Sequence, residues 1–194
     1  MIWLIAAPVA VVVGWLWTSY NRFVRQRQLV GNSWAGVDTE LRRRYDLIPN
    51  LVRTVEAYAD HERETFEEVA TARAVAVTAG GRSNGRSAPE EAFVASIGHL
   101  LAVAEAHPRL QADAHFRDLQ EQLVVTEDRI QAARRIHNGN VRDYNQRVEQ
   151  VPSRLVARLG GFGQEAYFEV ETAIRTNAPH VATSADARDA ADAA

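Results

Sequence analysis

The chain has 194 residues, with 22 basic and 25 acidic side chains, a formal charge of −3 and no cysteine. The absence of thiols excludes disulfides, thiolate metal sites and cysteine nucleophiles. The near-balanced charge excludes the basic field that gathers nucleic acid, so no nucleic-acid partner is expected.

The first element is an unbroken apolar run from Ile2 to Tyr20, free of charge and followed at once by Arg22, Arg25 and Arg27. As a helix the run reaches roughly 28 Å, close to the ~30 Å hydrocarbon thickness of a bilayer. Trp3 lies near one end and Trp15, Trp17 and Tyr20 near the other, where aromatic rings settle at membrane surfaces. A cleaved signal peptide is the competing reading, but no basic residue precedes the run and no small-x-small cleavage site follows it. The expectation is a retained single-pass anchor over 1–20, with the bilayer as partner of residues 2–20. The trailing arginines place the N-terminus outside and the rest of the chain in the cytoplasm.

Beyond the anchor the apolar positions step by three and four, through Val30, Trp34, Val37, Leu41, Ile48, Leu51, Val55, Tyr58, Phe66 and Val69, with Arg44 and Glu62 interrupting. That is the seam of a long amphipathic helix. Pro49 removes one backbone donor, but the seam resumes after it, so a kink is predicted and an almost continuous rod to Ala79. The Gly- and Ser-rich stretch 79–89 reads as a loop. Ser87 and Glu90 have capping-box spacing with Pro89 in the first turn, which predicts a second helix bearing Phe93, Ile97, Leu100 and Ala104 and ending before Pro108.

Asp113 is placed to cap a third helix. Its seam runs from Phe116 through Leu119, Leu123, Thr126, Ile130, Ala133, His137, Val141, Tyr144, Val148 and Val151 to a stop at Pro152. A short helix over Ser153–Leu159, an aromatic turn from Gly160 to Phe168 and a helix from about Gln164 to Thr176 complete the folded part. The Ala- and Asp-rich tail after Pro179 has no apolar period and is expected to be disordered. The fold class predicted is all-α: an N-terminal transmembrane helix followed by an antiparallel bundle of about four long helices. The domains are 1–20 (anchor), 21–178 (bundle) and 179–194 (tail).

Chemistry is sparse. Asp60 to Glu64 resembles half of a zinc helix, but Thr65 stands where the second histidine would be needed. There are no Glu-x-x-His pairs for a di-metal bundle, and Gly160-Gly161-Phe162-Gly163 reads as a helix C-cap rather than a phosphate cradle. Thr126, His137 and Asn140 are polar seam positions that fix register. Asp38 with Arg42 and Glu40 with Arg44 have the spacing of intrahelical pairs, at about 0.3 kcal/mol each. No catalytic, cofactor-binding or metal-ligating residue is assigned and no cofactor is expected. The alternative is a hydrolase using His61, Glu62 and Glu64 as its acid/base group.

The segment Arg43-Arg44-Tyr45-Asp46-Leu47-Ile48-Pro49-Asn50-Leu51-Val52 resembles the hallmark of the LemA family of bacterial membrane proteins. Further matches follow in the family's order: Tyr20-Asn21, Tyr58 to Glu62, Ala72-Arg73, Phe116 to Gln120, Thr126 to Ile130, Ala133-Arg134, Tyr144-Asn145, Pro152-Ser153 and Gly161-Phe162. Asp128 and His137 depart from the family's usual Asn and Tyr. The resemblance implies a single-pass anchor, a long-helix bundle and no established reaction. With it comes the expectation of a non-enzymatic, membrane-anchored scaffold or adaptor in envelope quality control. Its protein partner would be an envelope or membrane-protease-type protein docking on the faces around Arg42 to Asp46 and His61 to Glu68. Self-association through the long seams, giving a homo-oligomer, is a further alternative.

Overall fold

The computed structural model describes residues 2–59, 61–79 and 85–169; the side chains of Ile2, Leu4 and Ile5 lie outside this set. Asp60, most of the Gly-rich loop, the predicted helix beyond position 169 and the tail lie outside it too. Among the described residues six helices follow in order: α1 (Ile2–Glu56), α2 (Arg63–Thr78), α3 (Ser87–Glu105), α4 (Pro108–Gln111), α5 (Ala114–Glu149) and α6 (Ser153–Gly160). There is no strand among the described residues.

The 55 residues of α1 span roughly 80 Å. Its amphipathic seam is met by α5, which lies antiparallel along it. Tyr58, just past the end of α1, reaches Asp113 at the start of α5, Arg44 reaches Glu127, Ser33 reaches His137, and Phe23 packs on Tyr144. The hairpin of α2 and α3 packs against α1 of this pair. Two long and two shorter helices therefore make the four-helix layer, where the sequence suggested four long ones.

The rod does not continue to Ala79. Backbone bonds from Tyr58 and Ala59 to the Val55 carbonyl, at 3.0 and 3.1 Å, close α1, and the chain turns before α2 begins at Arg63. The apolar stripe continues in sequence because Phe66, Val69 and Ala76 fold back into the same core as Phe93, Ile97 and Leu100. A straight helix would have carried those residues out into water.

Pro49 is carried inside α1. The amide it lacks is the one that would have bonded to the Tyr45 carbonyl. Arg73 of α2 takes its place, donating from Nε to that carbonyl at 2.6 Å. The break in the ladder thus becomes a tie between helices.

Asp113 caps α5 as predicted, its carboxylate accepting from the Phe116 amide at 3.0 Å, and α3 ends before Pro108. The capping box at Ser87 is not formed: Arg86 occupies the N-cap, and Glu90 is fully buried in the bundle instead. Nor is there a helix from Gln164 to the end of the described chain; residues 162–169 are irregular. Two asparagines on α5 explain why. Asn138 accepts from the Phe168 amide at 2.9 Å and donates to its carbonyl at 3.1 Å; Asn145 does the same for Glu165 at 2.9 and 2.7 Å. Main-chain groups satisfied by side-chain amides need no helical partners.

Two cores result. The larger joins α1 through α5 and includes Phe168. The smaller, at the other end of the α1/α5 pair, gathers Phe23, Val30, Val141, Tyr144, Val156, Ala157 and Phe162. Gly161, in the left-handed region at φ 68°, caps α6 as expected and lets the Phe162 amide reach the Ala157 carbonyl at 2.9 Å.

Among the described residues, no helix is long and apolar enough to cross a membrane. The anchor expected over 1–20 is thus not set off as an element of its own. α1 passes position 20 without a break. What the helix presents there is apolar surface, with Trp3, Val11 and Trp17 between 71 and 85% exposed.

Candidate functional site

Arg44 interrupts the seam of α1, and the structure turns that interruption into a centre. Its side chain is 2% exposed. One guanidinium nitrogen donates to Glu127 of α5 at 2.8 Å, the other to Glu90 of α3. Tyr45 donates its hydroxyl to the second oxygen of Glu90. The guanidinium also lies 5.6 Å from the centre of the Phe93 ring, within cation–π range. Residues of α1, α3 and α5 therefore meet in one ion-paired group, while Arg73 ties α2 to the backbone of the same turn.

The electrostatics follow from burial. Glu90 has no exposure, and desolvation pushes its pKa up against the opposing pull of Arg44. At the rim, Asp38 accepts from Arg42 at 2.8 Å and from Arg86. Burial alone would raise the pKa of Asp38, but the two arginines outweigh it and hold it lowered. Beside Arg44 is a void of about 10 Å³ lined by Leu41, Glu90, Glu127, Ile130 and Phe168, no larger than one water requires. Arg44 Nε and Glu127 Oε2 are buried without a hydrogen-bond partner among the described residues, and the void beside them has room for a single water. The centre has the chemistry of a structural lock, with three helices held by charge-assisted hydrogen bonds.

The residues singled out in the sequence fall elsewhere. His61, Glu62 and Glu64 are all exposed, in the turn after α1 and the start of α2. Among the described residues, no group of three or more His, Asp or Glu is placed to hold a metal ion. Thr126 is buried and returns its hydroxyl to the Gln122 carbonyl at 2.7 Å. His137 is buried, with Ser33 Oγ 3.2 Å from Nδ1 and the Trp34 ring edge-on at 5.3 Å; Asn140 is half-buried. Arg42 pairs with Asp38 as expected. Arg44 does not pair with Glu40, which lies 3.6 Å from Arg43 instead. The face expected from Arg42 to Asp46 is not one surface, because Arg44 and Tyr45 point into the core between exposed neighbours.

Sequence reading gave Glu90 a capping role and assigned no contact to Glu127, Arg73, Asn138 or Asn145. A signal existed for the two acids: each stands three residues before an apolar seam position, Phe93 and Ile130 respectively, and so shares the buried face. A seam arginine needs such partners.

These features define a class: an all-helical protein whose long antiparallel helix pair is locked to a helical hairpin by a buried arginine–glutamate centre. The chain belongs to the LemA family, whose profile matches residues 33–182. It is similar to two magnetosome proteins of Paramagnetospirillum magneticum, MamQ 1 and MamQ 2, each 25% identical over 190 residues, covering 85% of this chain and 70% of the relative. It is also similar to MamQ of Magnetospirillum gryphiswaldense, 25% identical over 179 residues, covering 79% of this chain and 66% of the relative. The matched residues include the Arg44–Tyr45–Pro49 stretch of α1 just described, which in this chain is a junction of helices.

Proposed function

We propose that this protein is a membrane-anchored, non-enzymatic helical scaffold. The observation that carries the reading is the exposed apolar surface of α1 at Trp3 and from Val9 to Tyr20, continuous with a bundle whose buried charges serve helix-to-helix contacts. Residues 2–20 enter the bilayer with the N-terminus outside. The exposed Arg22, Arg25 and Arg27 hold the bundle on the cytoplasmic side. Fixing the bundle to a membrane raises its effective concentration toward proteins in the same plane, which suits an adaptor for an envelope protein in quality control. The relatives' designation as magnetosome proteins fits a role in organising a cellular structure.

Alkaline extraction of membranes tests the anchor: the full chain stays in the pellet, and replacing Val11, Val12 and Val13 with Asp releases it. Thiol labelling tests the orientation. Ala102, exposed on α3, is changed to Cys in this cysteine-free chain, and labelling by an impermeant reagent only after permeabilisation supports a cytoplasmic bundle. Labelling of intact cells reverses it. Changing His61, Glu62 and Glu64 together to Ala, Gln and Gln leaves function in cells intact under this reading; loss of function with the fold retained would favour the hydrolase.

A further inference from the structure

We infer that α6 is a second membrane-contacting element, an amphipathic helix that lies on an anionic phospholipid surface beside the point where α1 enters it. The inference rests on the anchor proposed above.

The register of the α1/α5 pair sets the place. Phe23 of α1 packs on Tyr144 of α5, and α5 ends at Glu149, so its last turn lies level with the end of the apolar run. α6 follows immediately and packs against both helices. Phe162, just after α6, lies 5.4 Å from the Tyr20 ring and stacks at 5.0 Å on Phe23. The helix is therefore held at the height of Tyr20, where the hydrocarbon would give way to headgroups.

Its two faces differ. Val156 and Ala157 are buried in the smaller core. The outer face carries Leu155 and Leu159 at 60 and 84% exposure, with Val151 at 80% just before the helix, and the exposed Arg154 and Arg158 beside the leucines. A single exposed leucine is ordinary. Three large apolar side chains in nine residues, alternating with arginines and joined to the apolar surface of Trp17 and Tyr20, form the pattern of an interfacial helix. The surroundings are basic as well: Arg22 is exposed nearby, and burial followed by the charge of Arg22 lowers the pKa of Arg147. Arginine guanidinium groups match phosphate geometry, and an anionic surface supplies it.

The test uses the full-length chain, labelled with an environment-sensitive dye at one introduced cysteine: Leu155→Cys, Leu159→Cys, Val12→Cys or Ala102→Cys. Each is reconstituted in vesicles of phosphatidylcholine and phosphatidylglycerol containing spin-labelled lipid. Dyes at 155 and 159 are expected to be quenched by spin labels near the headgroups, the dye at 12 by labels deep in the chains, and the dye at 102 by neither. Changing Arg154 and Arg158 to Gln should lower the docked fraction in anionic vesicles, by about five-fold in the docking equilibrium per arginine. If the dyes at 155 and 159 behave like that at 102 while the dye at 12 is quenched, the anchor stands and the inference falls. An unquenched dye at 12 sinks the anchor itself, and quenching at 155 and 159 then decides α6 alone. Shielding of 155 and 159 that does not depend on spin-labelled lipid would mean that protein covers the face, and would overturn the inference.

Discussion

Replacing Arg44 with Met is the sharpest perturbation of this fold. Methionine fills much of the arginine's volume and keeps an apolar contact with Phe93, so the change isolates the charge. It leaves two carboxylates facing the void, one of them, Glu90, with no exposure and the other, Glu127, with 10% of its side chain exposed. Removing one partner of a buried ion pair costs about 3–5 kcal/mol. Glu127 can turn toward water, so most of the penalty falls on Glu90, and the expected loss is about 3 kcal/mol. That is a large part of the roughly 5–15 kcal/mol that holds a domain together. The pH dependence is diagnostic. The pKa of Glu90 is already raised in the folded protein, so its contribution is fully present below the unfolded value and is lost as pH rises through the folded one. Deleting Arg44 removes the main group pulling that pKa down, so the folded value climbs further and the dependence steepens. Urea unfolding of the full chain in micelles, followed by far-ultraviolet circular dichroism, should show Arg44→Met recovering stability more than the parent does as pH falls toward the ordinary carboxylate range. Arg42→Met, at an exposed pair, serves as the control and should change little. A loss under about 1 kcal/mol for Arg44→Met, or one that ignores pH, would refute a buried charge at this position.

The other expectations concern the ties around that centre. Arg73→Met leaves the Tyr45 carbonyl without its donor and should cost about 1–3 kcal/mol; in a Pro49→Ala background, where the amide of residue 49 can bond to that carbonyl, the same change should cost much less, and equal costs in the two backgrounds would dismiss the tie. Asn145→Ala removes both bonds to Glu165 and should raise hydrogen exchange at that amide and protease cleavage within 163–169, with α1 and α5 still protected. Gly161→Ala forces a side chain into φ 68° and should destabilise by about 1–2 kcal/mol in the same urea assay. The Asp113 carboxylate is held below its ordinary range chiefly by the Phe116 amide, so its contribution is present above the unfolded value and is lost as pH falls through the folded one; Asp113→Asn should flatten the acid limb of the stability profile.

Elements whose cause is local could be read from the sequence. Asp113 and Gly161 act within a few residues of themselves, and both appear where spacing put them. Pro108 likewise marks the end of α3. What escaped depends on distant partners. The seam through Glu62 continues in period, and nothing local tells a straight helix from one that turns at Ala57 and returns its stripe to the same core. Ser87 and Glu90 satisfy the local pattern of a capping box, yet Glu90 finds Arg44, 46 residues away, and a charge-assisted bond in a dry interior outweighs a solvated cap. The irregular run after Phe162 has helical composition, but Asn138 and Asn145, 30 and 20 residues away from their partners, take up its backbone groups first.

The polar contacts also decide how far the bundle stands from the apolar end of α1. Heptad-like seams of Val, Leu and Ile can slide past one another by a turn at modest cost, because each apolar side chain meets another of similar size. The α1/α5 seam cannot. A shift of one turn, about 5.4 Å, would separate Arg44 from Glu127, Ser33 from His137 and Tyr58 from Asp113 together, leaving a buried carboxylate unpaired at the centre. Such a shift would cost more than the apolar seam could return. With the register fixed at three levels, the end of α5 and the whole of α6 are fixed relative to Tyr20. The junction around Arg44 and Pro49 thus acts at a distance: it sets where α6 and its leucines stand relative to the apolar end of α1.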